Sequence, residues 1–417
     1  MQEIFERLES EIRSYSRAFP TVFRSAKDAY LTNVEGRRFL DFFAGAGVLN
    51  YGHNNDRLKP ALVEYIQNDG VTHGLDMYTE AKARFLETLE ADIFKPRGLR
   101  YKVQFTGPTG TNAVESAFKL ARKATGRSEV VSFTNGFHGL TLGSLAATGN
   151  VKYRDAAGAA LVGATRMPFD RYHGADVNTA DILRQYLEDA SSGLEKPAAI
   201  ILETVQAEGG IHVASKAWLQ DVAKIAKDHG ILLIADDIQV GCGRTGTFFS
   251  FDEMGVEPDI VCLSKSISGY GLPMALVLMK PEHDVWEPGE HTGTFRGHNL
   301  AFVTAELAIR TYWRDDALSQ TVAKNSAHLR EALEKIAEPY RDRGVEVRGR
   351  GFIQGVDLAG EGLAGEVSKA AFERGLIIET AGAKDEVVKC LAPLTIDPAD
   401  LDKGLEIIGE SVKAVMK

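Results

Sequence analysis

Cysteine is scarce: Cys242, Cys262 and Cys390 are the only three, and no C-x-x-C spacing occurs. An odd number without paired spacing excludes a disulfide framework and a cysteine zinc site, and it fits the reducing cytoplasm. Long hydrophobic runs are missing too. No stretch approaches the roughly 20 apolar residues that a spanning helix needs. The opening residues Met1 to Phe19 mix Glu, Arg and apolar side chains, so neither a signal peptide nor an anchor is expected. A basic excess is also absent. The formal net charge is -10 with Lys and Arg scattered, which argues against a nucleic-acid footprint. There is no internal repeat, no low-complexity tract and no metal-ligand cluster.

What is present is an ordinary globular composition, 44% apolar and 25% charged over 417 residues. That length exceeds one small core and predicts a large domain with a smaller partner. Residues 52–310 alternate short apolar runs with amphipathic segments, the pattern of an α/β fold with a mostly parallel sheet flanked by helices. The clearest unit is AAIILETV at 198–205, a helix over about 216–229, then ILLIADD at 231–237. Ser215 can cap that helix and Gly230 can end it. DIVCLS at 259–264 reads as another strand. Residues 1–51 and 311–417 read as a separate, smaller α+β domain built from both termini. Within it, Phe352 to Val356, Leu376 to Glu379 and Val387 to Thr395 are strand candidates, and Asp397-Pro398 is a helix start.

Three segments carry chemistry. In GPTGTNAVESAFKLAR at 107–122, a Gly-rich turn opens a helix whose free N–H groups and dipole form an anion site. Gly110 allows close approach of a phosphate, and Thr111 can add a hydroxyl. The simpler reading is a well-capped helix with Asn112 and Glu115 as its capping pair. The second segment is Asp236-Asp237 at the carboxyl end of a buried strand, where open parallel sheets bind ligands. A carboxylate there needs a cation, and a protonated pyridine nitrogen can supply one. Alternation places the two acids on opposite faces, so only one reaches such a ring; either could instead serve a turn.

The third segment is Lys265, in LSKSISGYGLP, again at a strand end. Most lysines are solvated surface charges. A lysine partly desolvated beside a cofactor has a lowered pKa and can form an imine and shuttle protons. GCGRTG at 241–246 also satisfies G-x-G-x-x-G after a strand, but the following TGTFFSFDEMG lacks the helical period that a dinucleotide site needs.

At these residues the chain resembles the class III (omega) aminotransferases, enzymes of fold type I that use pyridoxal 5'-phosphate. LLIADDIQVGCGRTG is similar to the family's aspartate–glutamine signature ahead of its Schiff-base lysine. GRRFLDFFAGAGVLNYGHNN, NGFHG at 135–139, ETVQAEGGI at 203–211, GTFRGHN at 293–299 and APLTI at 392–396 extend the resemblance along almost the whole chain. The resemblance implies that Lys265 and Asp236 are catalytic, Asp236 as partner of the pyridine nitrogen. It implies Gln239 near the ring hydroxyl, Phe137 on the ring face, and Gly110 and Thr111 on the phosphate. Thr294 would reach that phosphate from a neighbouring protomer, so a homodimer or higher homo-oligomer follows. His138 matches the residue after the stacking aromatic, and a structural role fits it equally.

Two departures concern the substrate. Many members carry an arginine where this chain has Lys389, with Glu208 as that arginine's switchable partner. Lys cannot offer the two parallel hydrogen bonds of a guanidinium. Arg296, beside Thr294, is the other candidate cation, unless it forms a surface or interface ion pair. The implied partners are a small amino donor and an aldehyde acceptor, with no nucleic acid, membrane or metal. Other readings are an ornithine- or 4-aminobutyrate-type enzyme, an aminomutase, or a binding protein that keeps the cofactor.

Overall fold

The computed structural model describes all 417 residues. Seven strands make the central sheet: β1 (Lys102–Phe105), β2 (Val130–Phe133), β3 (Ala164–Met167), β4 (Ala199–Leu202), β5 (Leu232–Asp236), β6 (Ile260–Leu263) and β7 (Leu276–Met279). Their spatial order is β1-β7-β6-β5-β4-β2-β3. Pairing is parallel from β6 to β3, and β7 alone runs antiparallel to both of its neighbours.

Both faces of this sheet are covered, which explains why its strands read as unbroken apolar runs. Ile201, Ile234, Cys262 and Val277 point to one side, under Ala113, Val114, Ala117 and Phe118 of the helix Gly110–Thr125. Ile200, Leu202 and Leu233 point to the other, under Trp218, Val222 and Ile225 of the helix Lys216–Asp228. The Ser215 hydroxyl accepts from the Trp218 N–H at 3.3 Å, a cap of the kind worth about 1 kcal/mol. Past the helix end, Gly230 takes a φ of +57°.

Both chain ends join the smaller domain. Phe23–Lys27, Tyr30–Asn33 and Arg38–Asp41 form an antiparallel ribbon, and Leu376–Ile377 adds to it in parallel, Leu376 opposite Leu40. A second sheet runs Glu346–Arg350, Ile353–Asp357, Val387–Cys390, Glu379–Ala381. The apolar stretch expected to continue to Thr395 leaves the sheet at Cys390, ahead of Pro393, which has no N–H to offer a ladder. Asp397 caps the last helix, Pro398–Val415, by accepting from the Ala399 N–H at 2.9 Å.

One expectation is corrected. Asn112 and Glu115 do not form a capping pair. Thr109 is the N-cap residue and makes no side-chain cap bond; Asn112 donates to its hydroxyl instead. The Glu115 carboxylate turns away to accept from Gly143 N–H at 2.9 Å and Ser144 N–H at 3.1 Å. The helix start is therefore left open.

Candidate active site

The carboxyl ends of β1, β2, β4, β5 and β6 converge on a cavity of about 280 Å³. Its wall includes Gly110, Thr111, Phe137, His138, Glu203, Glu208, Asp236, Gln239 and Lys265. These residues come from segments up to 155 positions apart, and the sheet alone brings them together.

At one end lies the open helix start. The N–H groups of Gly110 and Thr111 have no partner in the chain, so two donors face the cavity at the positive end of a 16-residue helix. The approach at Gly110 is close: a Cβ there would stand 3.0 Å from Ile238 Cδ1, which would have to give way. The Thr111 hydroxyl contacts those of Thr141 at 2.7 Å and Ser144 at 2.6 Å, adding two hydroxyls to the rim.

In the middle, Asp236 is 5% exposed and its Oδ2 lies 2.8 Å from His138 Nδ1. Burial alone would lower the His138 pKa, but the hydrogen bond and charge of Asp236 raise it. The contact with His138 fixes the Asp236 carboxylate in place. Behind them Glu203 accepts from the Phe137 N–H at 2.9 Å, and burial pushes its carboxyl up to about 8. Asp237 points the other way and accepts from the Ser250 N–H at 3.1 Å, as strand alternation requires. The Gln239 amide nitrogen donates to Ala46 O and Glu208 Oε1, and its buried Oε1 has no partner.

Lys265 follows β6 directly, with φ at +53°, a region that L residues rarely adopt. The segment behind it holds this conformation: the Ser266 hydroxyl donates to Gly47 O at 2.6 Å, and Thr304 of the next helix donates to Ser268 O at 2.7 Å. The Lys265 ammonium forms no hydrogen bond or ion pair. Desolvation lowers its pKa, only partly opposed by the charge of Glu208.

Lys389 does not line this cavity. Its side chain has no exposed surface, and its ammonium lies 2.7 Å from Glu208 Oε1 and 3.0 Å from Glu379 Oε2. Against burial, these two carboxylates raise its pKa. Lys389 is thus already occupied and is no open cation for a substrate carboxylate. Thr294 is exposed and, like Arg296, stands outside the cavity of its own chain. Arg296 forms no ion pair, its buried Nε has no partner, and one guanidinium nitrogen borders Gly107 at the start of the phosphate turn.

The profile of the family Aminotransferase class-III matches residues 12–412. The chain belongs to the class III aminotransferases. Among curated relatives, a diaminobutyrate–2-oxoglutarate transaminase of Bordetella parapertussis is 57% identical over 98% of this chain and 94% of its own. One of the same name from Vibrio cholerae is 57% identical over 97% and 98%. Among solved structures, an ornithine aminotransferase of Toxoplasma gondii, described with PLP at partial occupancy in its active site, shares 25% identity at a TM-score of 0.83. It covers 99% of this chain and 94% of its own.

The class III cofactor is pyridoxal 5'-phosphate, and this chain is an aminotransferase. The cavity fits that group: two free amides at a helix start for a phosphate, a buried anion for a ring nitrogen, an unpartnered amide oxygen and an unpaired amine. Sequence reading missed Thr141 and Ser144 on the rim, Glu203 behind the ring position, and Glu379. Glu203 lies in the ETVQAEGGI segment; Glu379 carried no sequence signal.

Proposed function

We propose that the enzyme moves the amino group of L-glutamate to L-aspartate 4-semialdehyde, giving L-2,4-diaminobutyrate and 2-oxoglutarate, the transamination of ectoine biosynthesis. The observation that carries this reading is the name shared by relatives at 57% identity over nearly the full chain. IFERLESEIRSYSRAFP, THGLDM, SKSISGYGLP and VVKCLAPLTI also resemble that enzyme.

Each residue has a role in this reading. The Gly110 and Thr111 amides hold the phosphate, and Phe137 covers one ring face. Asp236, fixed by His138, keeps a proton on the ring nitrogen, while Gln239 meets the ring hydroxyl. When bound, the cofactor carries the amino group between substrates and accepts the electron pair released at the substrate carbon. The Lys265 amine would hold the cofactor and would serve as the base that takes the proton from the carbon bearing the amino group. Its lowered pKa suits a base near neutral pH. Glu208 and Lys389 shape the substrate end, and Arg296 with Thr294 completes the site from a second protomer.

A homodimer in the cytoplasm fits this reading. Leu75, Met77, Tyr78, Leu140, Leu142 and Phe295 are large apolar side chains left exposed around the phosphate turn and the 292–296 loop. The ring of Phe295 packs edge-on against that of His73 at 5.4 Å. We assign residues 52–310 to the large domain and 1–51 with 311–417 to the small one. A product assay with glutamate and the semialdehyde tests the function: 2,4-diaminobutyrate is expected. Its absence, with turnover of ornithine or 4-aminobutyrate, would move the enzyme to one of those types.

A further inference from the structure

A second hollow, of about 840 Å³, opens beside the first, and Phe137 and Glu208 line both. It is also walled by Tyr15, Tyr153 and Glu379. A substrate whose reacting carbon lies near Lys265 must place its other end in this hollow.

One ammonium, Lys389, stands at ion-pair distance from two carboxylates, Glu208 and Glu379, and the charge of Lys265 acts on both from farther away. The two acids are unequally satisfied. Glu208 Oε1 accepts from both Lys389 and Gln239, at 2.7 and 2.8 Å. Glu379 Oε2 is in ion-pair contact with Lys389 at 3.0 Å but has no hydrogen bond in line, and its Oε1 has only the Tyr15 hydroxyl at 3.3 Å. The Glu379 side chain is 10% exposed and borders the hollow.

The walls complete the pattern. Tyr15 lies against the Glu379 carboxylate, and the rings of Phe137 and Tyr153 meet edge-on at 5.7 Å. Aromatic faces beside an under-satisfied carboxylate attract an ammonium group.

We propose that Glu379 binds the ammonium group at the non-reacting end of the substrate. This rests on the diaminobutyrate reading above. That molecule has two amino groups: the one on carbon 4 is transferred, and the one on carbon 2 stays. The second is a cation that needs a partner, and Glu379 supplies it. Glutamate carries a carboxylate at its far end and gains nothing from Glu379. The residue therefore sets specificity for one substrate of the pair.

The test uses the cofactor-loaded enzyme with 2-oxoglutarate as acceptor and compares 2,4-diaminobutyrate with 4-aminobutyrate, the same chain without the carbon-2 ammonium. The native enzyme prefers diaminobutyrate. A hydrogen bond to a charged group of this kind corresponds to about 10- to 150-fold in kcat/KM, so Glu379→Gln lowers the preference ratio by that order. Glu379→Asp, which keeps the charge, retains part of it and serves if the Gln variant folds poorly. An unchanged ratio, or equal losses for both amines in both variants, overturns the inference and makes Glu379 a packing partner of Lys389. A native enzyme that does not turn over diaminobutyrate at all overturns the functional reading, and this inference with it.

Discussion

Lys265, part-buried, and Lys389, fully buried, are lysines beside joined cavities, yet their surroundings drive them in opposite directions. Lys265 stands two residues past a strand end with no partner on its amine, and desolvation lowers its pKa. Lys389 sits mid-strand between two carboxylates that raise its pKa in spite of complete burial. Burial alone therefore does not make a reactive amine. What separates a nucleophile from a fixed charge is whether counter-charges stand within ion-pair distance.

The largest effect that sharpens this contrast is at Asp236, the anion of the reactive end. Asp236→Asn leaves a buried partner without its charge, a loss on the order of 3 to 5 kcal/mol. Borne wholly by the transition state, that is roughly two to three and a half factors of ten in kcat. Asp237→Asn is expected to fall far less. The reverse order in steady-state rates would transfer the role to Asp237.

Next come paired stability measurements by thermal unfolding of the apoenzyme at neutral pH. Lys389→Met strands Glu379 and the part-exposed Glu208 and should cost on the order of 3 to 5 kcal/mol; adding Glu379→Gln restores part of it. Lys265→Met removes an amine that folding desolvates and should raise the melting temperature. The pH dependence has opposite signs as well. The raised pKa of Lys389 gives stability that is full below its unfolded value, about 10.4, and is lost as pH climbs beyond it. The lowered pKa of Lys265 is a penalty at lower pH that fades as pH rises toward that value. Equal signs for the two Met variants would break the contrast.

The smallest effect concerns Arg296. If it binds a substrate carboxylate from the second protomer, Arg296→Ala raises the KM for glutamate or the semialdehyde, by up to about fivefold if the contact is solvent-exposed. The cofactor spectrum is preserved. KM values unchanged in Arg296→Ala but raised in Lys389→Ala would return the contact to Lys389.

The same contrast explains what could be read from the chain alone. Lys265, Asp236 and Gly110 stand at strand ends and a helix start, where local pattern and parallel-sheet topology together announce a ligand site. Apolar runs covered on both faces gave the sheet the same legibility. The substrate end is assembled otherwise. Tyr15, Glu208 and the paired strands that carry Glu379 and Lys389 come from three remote segments, and only packing of the smaller domain brings them within hydrogen-bonding distance. Lys389 stood as a candidate for the substrate carboxylate because Glu379, ten residues earlier on the neighbouring strand, carries no local signal of the direct pairing. Glu115 was misread for a related reason. Its spacing fits a cap, but the loop at 141–144 offers it three donors.

The most direct measurement is borohydride reduction of the cofactor-loaded enzyme followed by peptide mapping. A single pyridoxyl label is expected, on the peptide that carries Lys265, with no label or turnover in Lys265→Ala. A label on the Lys389 peptide, or one retained in Lys265→Ala, would contradict it.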